Sequence, residues 1–381
     1  MERYVAKETN VKSSKHTGSK LIASLAMALV MVMLLCCAAC AEQVGNGSWE
    51  LTDGVLTLSG DWSDFQGFGA NSPVCPWGEG RENIEKVVIE KGTIVPDCTS
   101  MFSGMSALKE IDGLENLDIS KAKSMGGMFY GCKSLKNIDF GSGLDTGHIA
   151  NMSYMFYGCE ALESVNLGDG FDTWFCTNMN HMFAECRSLK TIDLGDKFYT
   201  AAVEDMNGMF YGCQSLEALD LGENFDTGYV YDMNGMFTAC KSLRSLNLGG
   251  SFNTAEVEDM GKMFASCEAL EEINLGNAFN TERVRDMSYM FAYCKALKEM
   301  NLGDQFITAS VRDVDSMFYD CGNLVNLYIG ENFDTSRIRN ACSMFAFCGN
   351  LEHIYGDGPL VMPSKADTEY MFCACDKLPG V

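Results

Sequence analysis

The sequence predicts an α/β solenoid, a right-handed winding of about eleven 27-residue coils, each a short helix plus a short parallel strand, behind an N-terminal β cap. Three observations carry this. The dipeptide Met-Phe recurs at 101, 128, 155, 182, 209, 236, 263, 290, 317, 344 and 371, always 27 residues apart. With each Met counted as position zero, Leu fills +7 in all eleven copies and Cys fills +4 in ten. Within each copy the apolar spacing changes from helix-like to strand-like. A fixed period of this size means units that bury their apolar faces on their neighbours. It overrides the two or three globular domains that 381 residues would otherwise allow.

In chain order, residues 1–41 read as an export signal. Arg3, Lys7, Lys12, Lys15 and Lys20 precede an uncharged apolar run from Leu21 to Leu35, short for a membrane span but suited to a signal core. Two cuts fit the small residues that follow. Ala39-Cys40-Ala41 allows release before Glu42, and Ala38-Ala39-Cys40 is similar to a lipoprotein box in which Cys40 carries the lipid. Residues 42–98 read as an N-terminal β cap with one degenerate coil. Trp49 to Leu58 forms a hairpin around Asp53-Gly54, and Ile84, Val87 and Ile89 repeat the coil's apolar frame. Residues 99–381 are the solenoid.

Within a coil, the apolar residues at −3, 0, +1 and +4 (Met152, Met155, Phe156 and Cys159) have the spacing of one helical face. Position −4 is Asp, Asn or Ser in every copy, from Asp97 to Asp367, as an N-cap requires. From +7 the pattern becomes Leu-x-x-Ile-x-Leu, as in Leu189, Ile192 and Leu194, which places +10 and +12 on one face of a strand. Gly closes the strand at +13 in eight copies, and Phe at +16 with Val or Ile at +21 fills the return path.

The composition excludes several functions. With 28 Lys and Arg against 52 Asp and Glu the net charge is −24, which argues against nucleic-acid binding, since phosphate contacts need Lys and Arg. Four His in the whole chain leave little for a His-based metal or acid–base site. Zinc needs clustered ligands, and one Cys per coil does not supply them. No cofactor motif and no catalytic constellation is visible, so the chain reads as non-enzymatic.

The unit from Met128 to Phe140, followed by Asp145-Thr146 and Asn151-Met152-Ser153, resembles the BspA-like leucine-rich-repeat surface proteins of bacteria. It is most similar to the branch found in mycoplasma and firmicute lipoproteins. The lead-in from Gly47-Ser48-Trp49 to Gly60, then Pro76-Trp77 and Val87-Val88-Ile89, resembles the segment that opens such proteins. The resemblance covers residues about 47–381. It implies a leucine-rich-repeat-like solenoid, exported to the cell surface or secreted, that binds a host or cell-surface protein or a glycan. Contact with the membrane would be only through the N-terminal signal or lipid anchor. It supplies no catalytic residues. The alternatives are a polysaccharide-acting or glycan-binding β-helix and a structural surface-layer component.

Several columns carry candidate chemistry. The +11 column lies between two inward positions and points outward: Asp112, Asp139, Asn166, Asp193, Asp220, Asn247, Asn274 and Asn301, then Tyr328 and Tyr355. It is the candidate binding face, able to grip a polar polymer, or calcium between acids such as Asp193 and Asp220; a solvated face with amides bonded along the ladder is the other reading. The Cys column reads as free, buried thiols, and Cys342, which stands outside it in a column mostly of Asn, Ser, Gly and acids, as the thiol most open to reaction. Tyr130, Tyr157, Tyr211 and Tyr319, with Tyr154, Tyr289 and Tyr370, form either an aromatic contact surface or packing between neighbouring helices. Thr at +18, from Thr146 to Thr335, reads as turn hydrogen bonding rather than an ice-binding row.

Overall fold

The computed structural model describes residues 40–65, 76–276 and 278–380. Residues 1–39 of the expected export signal, 1–41, lie outside the described residues.

The chain is a β-solenoid that begins with a twisted hairpin. Strand β1 (Cys40–Val44) pairs antiparallel with β2 (Asn46–Thr52), which pairs antiparallel with β3 (Val55–Asp61). The turn between β2 and β3 uses Asp53 and Gly54, both at positive φ, the geometry that matches strand twist. β3 then pairs parallel with β4 (Lys86–Ile89), and β4 pairs parallel with Glu110–Asp112 of the first coil. Three tryptophans fill this end: Trp77 packs edge-on against Trp49 (6.4 Å) and Trp62 (6.1 Å). The Trp77 indole N–H donates to the Met101 carbonyl (3.3 Å), which ties the hairpin to the first coil.

The expected short helix does not form. The helical residues among those described are two single 3₁₀ turns, Arg81–Asn83 before the first coil and Leu114–Asn116 in its return path. The segment from −4 to +4 is instead a run of three overlapping four-residue turns, 152–155, 154–157 and 156–159 in the coil of Met155. In the coil of Met155, the N–H groups of Met155, Tyr157, Cys159 and Leu162 each donate three residues back, at 3.0 to 3.3 Å. The alternate N–H groups leave the coil altogether. Met152, Tyr154, Phe156 and Gly158 donate to the carbonyls of Asn178, Asn180, Met182 and Ala184 of the next coil, at 2.8 to 3.0 Å. A helix would close these groups on itself.

Left-handed backbone at two fixed places makes this geometry. Position −1 has positive φ in all eleven coils, from Ser100 (56°) to Tyr370 (57°), and so does +3, from Gly104 (77°) to Ala374 (58°). Each such residue sends its own N–H along the solenoid axis, as Tyr154 and Gly158 do, while the next N–H, of Met155 or Cys159, closes a turn within the coil. The conformation costs a non-glycine residue about 1–2 kcal/mol, and the inter-coil hydrogen bonds, about 0.5–1.5 kcal/mol each, offset it. The residues at −4 cap as their chemistry demands, but they cap turns: Asn151 Oδ1 accepts from the Ser153 N–H (2.9 Å) and Asp205 Oδ1 from the Asn207 N–H (2.9 Å). That column forms an unbroken parallel ladder from Ser124 to Asp367. The strand positions pair less continuously, in separate sets such as Asn137–Asp139 with Ser164–Asn166 and Ala218–Asp220 with Ser245–Asn247.

The core is a set of stacked columns. Met at 0, Phe at +1, Cys at +4 and Leu at +7 are fully buried through the middle coils. The Phe rings at +1 stack coil on coil at 5.3 to 5.7 Å, and those at +16 from Phe198 to Phe333 at 6.3 to 6.5 Å. Gly closes the strand because the backbone there is left-handed, as at Gly195 (φ 73°) and Gly222 (φ 72°), and at Gly168 a Cβ would also stand 1.7 Å from the Gly141 carbonyl oxygen.

Candidate binding face

The eight +11 residues from Asp112 to Asn301 are all exposed. Their side chains are not free-standing. Asp139, Asn166, Asp193, Asp220, Asn247, Asn274 and Asn301 each accept through Oδ1 from the N–H of the glycine two residues on, at 2.9 to 3.1 Å. Asn166 and Asn247 also donate to the acid one coil before, Asp139 and Asp220, both at 3.0 Å. Asp112 differs: its carboxylate pairs with Lys86 at 2.6 Å, and the ammonium holds its carboxyl below the ordinary range. What the column presents outward is therefore one carboxylate or amide edge per coil, fixed in direction by the glycine turn. Its C-terminal end is aromatic, with Tyr328 and Tyr355 stacked at 4.7 Å. Among the described residues no three His, Cys, Asp or Glu side chains converge as a metal site requires.

Three of the tyrosines form short ring stacks on the turn face. Tyr130 lies on Tyr157 (4.9 Å, 6° between planes) and Tyr154 on His181 (5.0 Å, 6°). These rings pack on one another between neighbouring coils, turn on turn rather than helix on helix, and Tyr130 and Tyr154 are exposed. Tyr130 and Tyr154 flank a shallow depression floored by Gly126 and Gly127. Burial lowers the His181 imidazole pKa, against the pull of Asp205 and Asp232.

Beneath this face runs a half-buried acid column, Asp205, Asp232, Asp259, Asp286 and Asp313. Burial lifts the Asp232 carboxyl above the ordinary range; the Asn234 N–H and Asn207 amide oppose this, while Asp259 and Asp205 add to it. Amides relieve the crowding, as where Asn180 Nδ2 donates to Asp205 (2.8 Å) and Asn234 Nδ2 to Asp259 (3.1 Å).

The Cys and Thr columns face inward and are structural. Each ladder thiol donates to the Phe carbonyl of the preceding coil, as Cys159 to Phe129 and Cys213 to Phe183, both 3.2 Å. Burial pushes the Cys159, Cys213 and Cys294 thiols up to about 12, so they stay protonated donors. Cys342 is half-buried, and among the cysteines from Cys98 onward the thiol that stands exposed is Cys373. The Thr hydroxyls bridge coils: Thr146 donates to the Asp172 carbonyl (2.8 Å) and Thr200 to the Asp226 carbonyl (2.7 Å). Seven of these threonines, Thr146 to Thr308, are buried, which removes them from any ice-facing surface. The sequence reading missed an exposed basic group, Arg312, Arg337, Arg339 and Lys365, near the C-terminal end; three of its members stand in outward columns of the return path, where a column-by-column reading would find them.

Similarity to known proteins follows the repeat. Solved structures with which the chain aligns include a leucine-rich repeat protein of T. pallidum, at 20% identity over 50% of this chain and 78% of that one, with a TM-score of 0.35. A leucine-rich repeat protein of Eubacterium ventriosum aligns at 16% identity over 84% and 85%, TM-score 0.41. A leucine-rich cell surface protein of Faecalibacterium prausnitzii aligns at 15% identity over 84% and 95%, TM-score 0.35. No curated protein sequence matches. The coils themselves match one family in overlapping stretches, 96–218, 177–301, 214–326, 246–356 and 298–378, which together run unbroken through most of the chain. The chain thus belongs to the family described as Mycoplasma protein of unknown function, DUF285.

Proposed function

We propose that this chain is an exported, cell-surface binding protein of the BspA-like leucine-rich-repeat kind. It binds a basic protein partner through repeated weak contacts along its acidic +11 face. The observation that carries the reading is the fixed direction of that column: Asp139, Asn166, Asp193, Asp220 and Asn247 are exposed, and each is oriented by its own glycine turn. A rigid array at ~4.8 Å per coil lets weak contacts add. The lipid-anchor reading of Cys40 is supported by strand β1, which starts at Cys40. Release before Glu42 would remove the first two residues of that strand, whereas cleavage before Cys40 leaves it whole.

The test is a binding screen of the whole chain against matrix proteins at low and at physiological salt. Saturable binding that weakens with salt is expected. The double variant Asp193→Asn, Asp220→Asn keeps both turn acceptors and removes two charges, so it weakens binding without unfolding the coils. Failure of every partner to bind, or binding indifferent to this variant, refutes the reading. Palmitate labelling of wild type but not of Cys40→Ala tests the anchor.

A further inference from the structure

Two outward columns of the return path change sign along the solenoid axis. One runs Glu204, Tyr231, Glu258, Arg285, Arg312, Arg339, and the other Glu256, Arg283, Ser310, Arg337. The Arg312 N–H donates to the Arg285 carbonyl (2.9 Å) and the Arg339 N–H to the Arg312 carbonyl (2.8 Å), so three arginines stand in register on consecutive coils. At the junction the charges cancel: Arg285 pairs with Glu258 at 2.9 Å, and Arg283 pairs with Glu256. Beyond the junction they do not. Arg312, Arg337, Arg339 and Lys365 are exposed, and among the described residues none has a carboxylate at ion-pair distance.

The acids beside them in sequence are engaged elsewhere. Asp313 accepts from the Asp315 N–H (2.9 Å) and the Asn340 amide (3.2 Å). Both Asp334 oxygens accept from Ser336, at 2.8 and 2.9 Å, and Asp367 accepts from the Glu369 N–H (3.0 Å). Elsewhere cations meet acids one coil away, as in Lys133–Glu160 (2.9 Å) and Lys298–Glu271 (2.8 Å). Stacked like charges repel at ladder spacing, so folding gains nothing from this arrangement. The four cations border one concavity of about 430 Å³, lined also by Ser336 and Pro363.

We propose that this concavity binds a sulfated oligosaccharide, its sulfate groups gripped by Arg312, Arg337 and Arg339. The site is separate from the acidic face and opposite in sign. A guanidinium fork matches a tetrahedral oxyanion with two parallel hydrogen bonds. Arginines repeated on consecutive coils suit a linear chain of anionic groups better than a single ion. Nucleic acid is disfavoured, because no aromatic side chain lines the concavity to stack a base, and a net charge of −24 opposes a long polyanion.

The test is calorimetric titration of the whole chain with a heparin-derived hexasaccharide, beside inorganic sulfate, inorganic phosphate and a short DNA duplex. Binding of the hexasaccharide is expected, weakening with salt. It should fall about tenfold or more in Arg312→Gln, Arg339→Gln and stay unchanged in Lys133→Gln, Lys136→Gln on another face. All four positions are exposed, so circular dichroism should show the same fold throughout. Absence of hexasaccharide binding, equal binding by the arginine variant, equal affinity for free sulfate or phosphate, or tighter binding of DNA would each overturn the proposal.

Discussion

Replacing Gly158 by Ala separates the turn architecture from the helix that the apolar spacing suggests, because the two give opposite signs. Gly158 stands at +3 with φ +70°. An added Cβ would meet the Gly131 Cα at 3.8 Å and its N at 4.0 Å, ordinary contacts, so packing contributes little and the backbone decides. Left-handed backbone costs a residue with a Cβ about 1–2 kcal/mol. Stiffening of the unfolded chain returns about 0.4–1 kcal/mol. A net loss of roughly 1 kcal/mol is expected. In a helix interior the same change would gain about 0.8–1 kcal/mol, so the two architectures differ by about 2 kcal/mol. The reverse substitution, Lys262→Gly, relieves a residue at φ 59° whose side chain is exposed, and should stabilise. The assay is the urea midpoint, with the slope compared between variants, because a repeat array can lose cooperativity. A rise in midpoint for Gly158→Ala together with a fall for Lys262→Gly would refute the left-handed turns.

The remaining predictions concern the buried columns. Leu216 is fully buried, and Leu216→Ala should cost about 2–5 kcal/mol by chemical denaturation; an unchanged midpoint would contradict the inward placement of +7. Thr200→Val should cost about 1 kcal/mol or more, since it removes the donor to the Asp226 carbonyl at 2.7 Å without loss of volume. Burial raises the ladder thiols from 9.0 to about 12 in Cys159, Cys213 and Cys294. Between those values the native state holds protons that the unfolded chain has released. Stability from this source is therefore complete below pH 9 and falls as pH rises toward 12, a loss that unfolding free energies measured across that range would show. Thiol labelling of the native protein at neutral pH should modify Cys373 first and leave the ladder thiols Cys132 to Cys348 intact; fast labelling of those would contradict their burial.

The period, the identity of the buried columns and the capping chemistry at −4 were determined by the sequence itself. Each inward column repeats the same residue type on stacked coils, so one reading is checked eleven times over. Asp and Asn at −4 accept a backbone N–H whatever structure follows, which is why their role was legible although the helix was not. The spacing at −3, 0, +1 and +4 was ambiguous for a physical reason. An α-helix and a run of overlapping four-residue turns both bring these positions to one side. Only φ distinguishes them, and the hydrogen bonds that fix φ run to a coil 27 residues away, as from Phe156 to Met182. A local signal did exist: glycine at −1 in Gly127, Gly208 and Gly235, and at +3 in Gly104, Gly131, Gly158 and Gly212, sits where a helix interior would resist it. The outward +11 column was legible from strand alternation, but not its tethering to the glycine turns. The unpaired arginines needed the structure as well, since which cations find a carboxylate depends on neighbours one coil away. Local chemistry is written residue by residue, whereas the direction of each hydrogen bond is decided only when coils stack.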